Sequence, residues 1–373
     1  MDEIKRKLAS IQKITDIRPI EGADKIEVAQ VLGWECVVKK SEFKIGDVIV
    51  YFEVDSILPE RNEFEFLRER KFRIRTIKLR KQVSQGLVMP LSILPQDYSV
   101  GEEGSDVTEL LGVKKHDPQA QEENDLAGSI KYNSKVLKFF MQFAAFRWVY
   151  FKLNHVDKGW PGWISKTDEE RIQSCAKLII NNMDKLWYVT EKLDGQSATY
   201  FYHKSMKWGL PHWIFGICSR NIWLKRPTNG SYWKMAEKYD LKNRFKKFGN
   251  ELILQGENIG PAIQKNKYGL EENDLRVFTV KIDGVNWNVH QMEEACFELG
   301  LTTVPVIDRA FDPKRELGNL TEVHDVVQAL VKMSIGKSTL ADTPREGLVF
   351  RLIENPNISF KVINPEFLLK WNE

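Results

Sequence analysis

Cysteine is scarce in this chain: four occur in 373 residues, Cys36, Cys175, Cys218 and Cys296. No two of them form a Cys-x-x-Cys pair, which excludes a disulfide framework and a structural zinc site of ordinary spacing. A reducing interior is the expected setting. The N-terminal run MDEIKRKLAS lacks the apolar core of an export signal, so a cytoplasmic location is expected. Neither sign of charge dominates, with 55 Lys and Arg against 52 Asp and Glu. Affinity for a polyanion must therefore come from local clusters rather than the overall field. No internal repeat and no low-complexity tract is present. No membrane-length apolar run occurs either: the densest, Val136 to Phe151, is too short and is interrupted by Lys138, Gln142 and Arg147. On a helix Lys138 and Gln142 share a face while Arg147 falls nearly opposite. That pattern suits packing between protein surfaces better than lying on lipid, and no membrane partner is expected.

What is present points to two domains. The length exceeds what one core usually supports, and the apolar content of 42% can fill two. Up to residue 113 the chain reads as short strands, Lys25 to Val31, Glu35 to Lys39, Asp47 to Val54 and Lys71 to Leu79, punctuated by Gly22, Gly33, Gly46 and Pro59. Such spacing predicts a small β-barrel over 1–113. The polar run Lys114 to Asn124 opens a linker over 114–131, and an aromatic connecting segment follows over 132–165. Thr167-Asp168-Glu169-Glu170 matches a capping box, which predicts a helix from Thr167 to about Met183 with Arg171 on its first turn. From 166 to 373 strands alternate with helices near Tyr232 to Asp240, Gln291 to Leu299 and Glu322 to Ile335, an α+β domain.

The most informative stretch is Leu186 to Tyr202, where two strand-like runs flank Lys192-Leu193-Asp194-Gly195. It reads as a hairpin presenting a lysine from a tight turn. A lysine attacks phosphorus only as the neutral amine, so a site using Lys192 must depress its pKa by burial or nearby positive charge. Alone, Lys-x-Asp-Gly is weak, being usually a solvated turn. Downstream, in order, come Ser219-Arg220-Asn221, Leu254-Gln255-Gly256-Glu257, Glu346-Gly347-Leu348-Val349 and Ser359-Phe360-Lys361-Val362. The last two runs flank Glu354-Asn355-Pro356-Asn357, which is turn chemistry, and should form an antiparallel hairpin. If Ile353 faces Ile358, Phe350 faces Lys361, and Glu346, Leu348, Phe350 and Lys361 share a face. In the first domain Lys71-Phe72-Arg73-Ile74-Arg75 alternates cations with apolar residues. As a strand it would carry Lys71, Arg73 and Arg75 on one face, extended by Lys78, Arg80 and Lys81, a stripe able to follow a phosphate backbone. The competing reading is an ordinary solvated strand face.

The ordered series resembles the motif set of the covalent nucleotidyltransferases, that is, ATP-dependent ligases and messenger-RNA capping enzymes, over about 166–373. Trp163 to Gln173 and Gln255 to Pro261 narrow the resemblance to the ATP-dependent RNA ligase family typified by the Deinococcus enzyme. Ile20-Glu21-Gly22-Ala23-Asp24-Lys25-Ile26 resembles that family's N-terminal OB module. DNA ligases and capping enzymes carry such a module after the catalytic domain, and here the last expected strand stops at Ile363. The resemblance implies a nucleotidyltransferase fold of antiparallel sheets and helices behind an OB-like barrel. It implies ATP with magnesium or manganese, and RNA or an RNA-containing duplex as partner; a monomer is expected. Lys192 would carry AMP, Lys361 would meet the α-phosphate, and Arg171 would meet outer phosphates or an RNA 5′-phosphate unless it is a surface partner on its helix. Asp194, Glu257 and Glu346 would hold the hydrated metal. Arg220 would contact ribose, Glu191 would read the adenine amino group, and Gly195 would complete the nucleotide loop. For stacking on adenine the strand Arg276 to Asp283 offers Val280 and Phe278, taken to lie on one face. Lys81 stands where the family pattern favours glycine. The rivals are a DNA ligase, a capping guanylyltransferase and a nucleic-acid-binding protein with an inactive ligase-like domain.

Overall fold

The computed structural model describes residues 6–99, 101–116, 142–143, 158–166, 168–207, 210–224 and 230–371. The aromatic run Val136 to Phe151 (Gln142 and Phe143 apart), the linker beyond 116 and Thr167 of the capping box lie outside them.

The first domain is organised by a strand that the sequence pattern did not single out. β1 (Ala9–Pro19) is eleven residues long and is shared between two neighbours. Its first half, from Ala9 to Lys13, pairs with β4 (Val48–Phe52); its second, from Ile14 to Pro19, pairs with β2 (Ile26–Val31). A bulge between Ile14 and Asp16 marks the handover, where an extra residue raises the local twist and curls the sheet. With β3 (Trp34–Lys39) and β5 (Leu87–Pro90), the order β3-β2-β1-β4-β5 makes an antiparallel, OB-like half-barrel. Ile11, Trp34, Val50 and Phe52 fill it, and Phe64 and Leu67 of the helical turn Asn62–Arg70 close it.

The strand expected over Lys71 to Leu79 is not formed as one piece. Lys71 and Phe72 are left-handed, with φ of 53° and 58°, and end the helical turn. Phe72 and Ile74 then exchange backbone hydrogen bonds with Asp55, Ser56 and Leu58, and regular pairing resumes only at Ile77–Leu79. Burial still alternates, but the left-handed pair separates Lys71 from Arg73 and Arg75, and Arg73 is bonded to Asp55 at 3.0 Å. The exposed cations of this region are Lys71, Lys78, Arg80 and Lys81. Lys114–Lys115, expected to open the linker, instead pairs antiparallel with Ser56–Ile57.

The second domain contains two sheets. The smaller has the order β6-β15-β14-β7-β13, with β6 (Glu170–Arg171), β7 (Trp187–Lys192), β13 (Val306–Phe311), β14 (Gly347–Leu352) and β15 (Ser359–Ile363). The larger runs through β10 (Ile222–Leu224), β9 (Leu210–Cys218), β8 (Gln196–Lys207), β11 (Leu252–Ile259) and β12 (Asp274–Ile282). The runs flanking Lys192 to Gly195 are therefore not a hairpin: β7 lies in one sheet and β8 in the other, and the motif is the crossing between them. The expected helix from Thr167 is also replaced. Glu170 and Arg171 pair parallel to Phe360 and Lys361, and helix begins only at Ile172, as two short turns, α1 (Ile172–Cys175) and α2 (Lys177–Ile180). The later helices are α3 (Ser231–Lys238), α4 (Leu241–Phe248), α5 (Val289–Glu298), α6 (Pro313–Leu317), α7 (Val323–Ser334) and α8 (Pro365–Trp371). One face of the smaller sheet, Val189, Leu348, Phe350, Phe360 and Val362, packs on Val326, Val327 and Leu330 of α7.

Candidate active site

Chain register decides what the smaller sheet presents on its other face. β14 and β15 are antiparallel as expected, but slipped by one residue: Phe350 pairs with Phe360 and Val349 with Lys361. The Leu352 N–H bonds the Ile358 carbonyl at 3.0 Å, so the turn spans residues 353–357, one residue more than expected. Lys361 consequently lies opposite Leu348 and Phe350, on the face of Val349 and Gly347. Lys192 pairs with Gly347, which puts it on that same face.

At the end of β7, Lys192 Nζ donates to Glu346 Oε1 at 2.7 Å. Burial alone would lower the Lys192 pKa, but Glu346, Glu257 and Asp194 more than offset it, and the amine is held above its ordinary value. The protein's own carboxylates thus keep Lys192 as an ammonium, the reverse of what nucleophilic attack requires. Around it the charges are coupled. Burial pushes Glu257 up to about 8, Lys192 acts against this, and Glu346 and Asp194 reinforce it. Burial lowers Lys361 to about 8, with Lys192 and Arg171 adding to the effect and Asp168 opposing it. Gly195 is needed where the crossing presses on β11, because a Cβ there would run into the Asn258 carbonyl and the Glu257 side chain.

The remaining expected residues divide. Arg171, in its strand beside Lys361, is 8% exposed and not a surface partner; its Nη2 donates to Asp55 at 2.9 Å and its guanidinium lies over Trp34. Its Nε and Nη1 are buried without an acceptor. Arg220, in the turn between β9 and β10, donates to Asp168 at 2.7 Å. Glu191 turns to the opposite side of β7, where Oε2 accepts from the Thr339 N–H at 2.9 Å and its hydroxyl at 2.7 Å, leaving Oε1 buried and unpartnered. Phe278 and Val280 do not share a face. A bulge between Val277 and Thr279 sends Val280, fully buried, into the core with Tyr200 and Leu254. Phe278 packs instead beside Leu193, Val304 and Leu340, directly behind the Lys192 crossing.

Several side chains of the site carried no sequence signal. Lys267 pairs with the Asp194 carboxylate and lies over the rings of Phe367 and Trp371 at 4.7 and 5.1 Å. Tyr268 Oη accepts from the Asp194 N–H at 2.7 Å. Asp55 and Lys115 come from the first domain, and only the fold brings them here.

The donor set fits a hydrated divalent cation. Glu346 Oε2 is buried and unpartnered, and three carboxylates stand near one amine. Among the described residues no three carboxylate, histidine or cysteine side chains are placed to ligate one ion directly, so an ion here would be held largely through water, as magnesium is. The orphaned Glu191 Oε1, on a carboxylate held by Thr339 next to Leu340 of the Phe278 cluster, fits a purine bearing an amino group.

A profile described as RNA ligase matches residues 185–364, and one described as an OB-fold domain matches residues 8–91. Among solved structures, the chain is similar to a ligand-free variant of Naegleria gruberi RNA ligase, with 31% identity, 98% of each chain covered and a TM-score of 0.78. A variant of the same enzyme with ATP and manganese matches at 30% identity over 99% of this chain and 100% of that one, with a TM-score of 0.78. The same enzyme with pyrophosphate matches at 30% over 98% and 99%, with a TM-score of 0.77. No curated protein matches.

Proposed function

The chain belongs to the RNA ligase family, is an ATP-dependent enzyme of it, and from that premise we propose that it seals a 3′-hydroxyl to a 5′-phosphate through an adenylate carried on Lys192. The observation that carries this reading is the position of Lys192: at the end of a rigid strand, 2.7 Å from Glu346, within the field of Glu257, Asp194 and Lys361. Lys192, once neutral, attacks the α-phosphorus of ATP and pyrophosphate leaves. AMP then passes to the 5′-phosphate, and the 3′-hydroxyl attacks that activated phosphorus with AMP as leaving group. Glu346, Glu257 and Asp194 would hold hydrated magnesium or manganese, which when bound would supply positive charge; neutralised in that way, the three carboxylates would cease to stabilise the ammonium of Lys192.

Lys361 meets the α-phosphate, and Arg171 offers its free Nε and Nη1 to an outer phosphate or the RNA 5′-phosphate. Phe278 and the Glu191 Oε1 receive adenine; the buried Val280 takes no part. Arg220 contacts ribose or, through the arrangement described below, phosphate. RNA approaches the exposed cations Lys71, Lys78 and Arg80, with Arg73 and Arg75 lending charge from behind. The domain limits proposed are those expected from sequence, 1–113 and 166–373, with Lys114–Lys115 moved into the first domain. The module preceding the catalytic domain supports placement in the Deinococcus-type branch, acting as a cytoplasmic monomer on RNA-containing duplexes.

Intact-mass spectrometry after incubation with ATP and magnesium tests the reading. An AMP adduct on Lys192 is expected, and Lys192→Ala loses it while RNA binding is retained. An adduct on the Lys192→Ala protein, or a GMP adduct from GTP with none from ATP, overturns the assignment.

A further inference from the structure

Asp168 lies at a point where three cations converge. Its Oδ2 accepts from Lys115 Nζ at 2.6 Å and from Arg220 Nη2 at 2.7 Å, and its Oδ1 lies 3.5 Å from Lys361 Nζ. The cations come from distant places in the chain: Lys115 from the pair of residues bonded to Ser56–Ile57 in the first domain, Arg220 from the turn after β9, and Lys361 from β15. Gathering three like charges on one carboxylate costs Coulomb energy, which Glu257, within the field of Arg220, and Glu170, within that of Lys361, reduce. The excess positive charge, on planar and point donors aimed at oxygens, is what a phosphate group satisfies better than a carboxylate does, having more acceptor oxygens and more charge.

Solvent reaches the cluster, since the side chains of Asp168, Lys115 and Arg220 are 44%, 37% and 29% exposed. It also adjoins the reacting centre, because Lys361 lies within the field of Lys192. The cations hold the Asp168 carboxyl far below the usual range although burial acts against them, so it is a full anion at any working pH.

We propose that Lys115, Arg220 and Lys361 form a phosphate subsite that Asp168 occupies as an internal stand-in, and that an incoming phosphate displaces the Asp168 carboxylate. The first domain then supplies part of the catalytic pocket through Lys115 rather than only an RNA-binding surface. The phosphate comes either from the triphosphate or from the 5′ end of the nucleic acid. Choosing between these sources rests on the adenylyl-transfer reading, whereas the subsite itself does not.

The test uses the full chain in EDTA and titrates two probes by calorimetry: inorganic tripolyphosphate, and a 5′-phosphorylated oligoribonucleotide compared with its 5′-hydroxyl counterpart. Removing the stand-in frees the subsite, so Asp168→Asn tightens binding about three-fold or more for at least one probe, and Lys115→Gln weakens that same probe by a similar factor. Tightening for tripolyphosphate alone identifies the triphosphate as the source; tightening for the 5′-phosphorylated strand alone identifies the nucleic acid. Unchanged or weaker binding of both probes by Asp168→Asn overturns the proposal and makes Asp168 a scaffold for its neighbours. Asp168→Ser, which also removes the charge, provides the same readings should the asparagine variant not fold. The adenylate adduct on Lys192 is measured on the same samples, so failure of the adenylyl-transfer reading registers separately.

Discussion

The residue with the least comfortable environment is Glu257. Burial raises its carboxyl to about 8, against an ordinary value of 4.5. Between those two values the folded chain binds more protons than the unfolded chain does, so this group makes stability fall as pH rises from about 4.5 to about 8. Glu257→Gln removes that dependence at nearly constant shape. Without divalent metal the variant is expected to melt a few degrees higher than the parent at pH 8, with the advantage disappearing near pH 5. Thermal denaturation at the two pH values checks it, and an advantage independent of pH would contradict the assignment of the shift to this carboxyl. The same strain explains why a cation is wanted here. Which charged motifs come together was legible in sequence from side-chain type and order, and Lys192, Asp194, Glu257, Glu346 and Lys361 do share one field. Their protonation was not legible, since the state of Lys192 depends on Glu346, 154 positions away along the chain.

Among the elements, the hairpin Ile77–Leu79 and Gln82–Ser84 shows how a local rule can be broken without losing the structure. Leu79 faces Gln82, so Arg80 and Lys81 form a two-residue turn, and both adopt left-handed φ, 49° and 69°. That is the type I′ geometry, in which glycine is favoured because a Cβ is disfavoured there. Lys81→Gly should therefore stabilise the chain by about 1 kcal/mol, read as a higher urea midpoint at unchanged slope. A lower midpoint would mean that Lys81 makes a contact outweighing the backbone cost. Elsewhere the sequence misjudged elements where the deciding contact was distant. Arg171 was placed on a helix, but the parallel pairing with Lys361 extends it as strand. Phe278 was placed beside Val280, but the bulge, whose Phe278 carbonyl accepts from Arg351 at 2.6 Å, turns it to the other side.

For the whole molecule, the central fact is how tightly the first domain is seated on the second. The Gly33 N–H donates to the Gln173 carbonyl at 3.1 Å, Ser174 donates to Glu53 at 2.8 Å, and Asp55 holds Arg171. A Cβ on Gly33 would meet Val327 at 2.8 Å and the Gln173 Cα at 3.0 Å. Gly33→Val is thus expected to cost about 1–3 kcal/mol by overpacking and to speed hydrogen exchange over Ile172–Cys175, while β1 and β4 stay protected. Equal exchange in variant and parent would show that the two domains are not held by this contact. Since Arg171, the strand partner of Lys361, is held by Asp55 across this seam, loosening it should also slow adenylate formation.

By itself the sequence determined which chemistry is possible. It held the two-domain division, the half-barrel strands around Ile26–Val31, Trp34–Lys39 and Val48–Phe52, the helices Ser231–Lys238, Val289–Glu298 and Val323–Ser334, and the order of the charged motifs. These rest on local periodicity, turn residues and side-chain type, which a chain carries wherever it goes. Tertiary structure alone decided that β7 and β8 part into separate sheets, that β15 pairs one residue out of the expected register, and that Asp168, Lys267, Asp55 and Lys115 join the site. Those outcomes depend on contacts between residues tens to hundreds of positions apart, and Coulomb forces and packing act on distance in space, not on spacing along the chain.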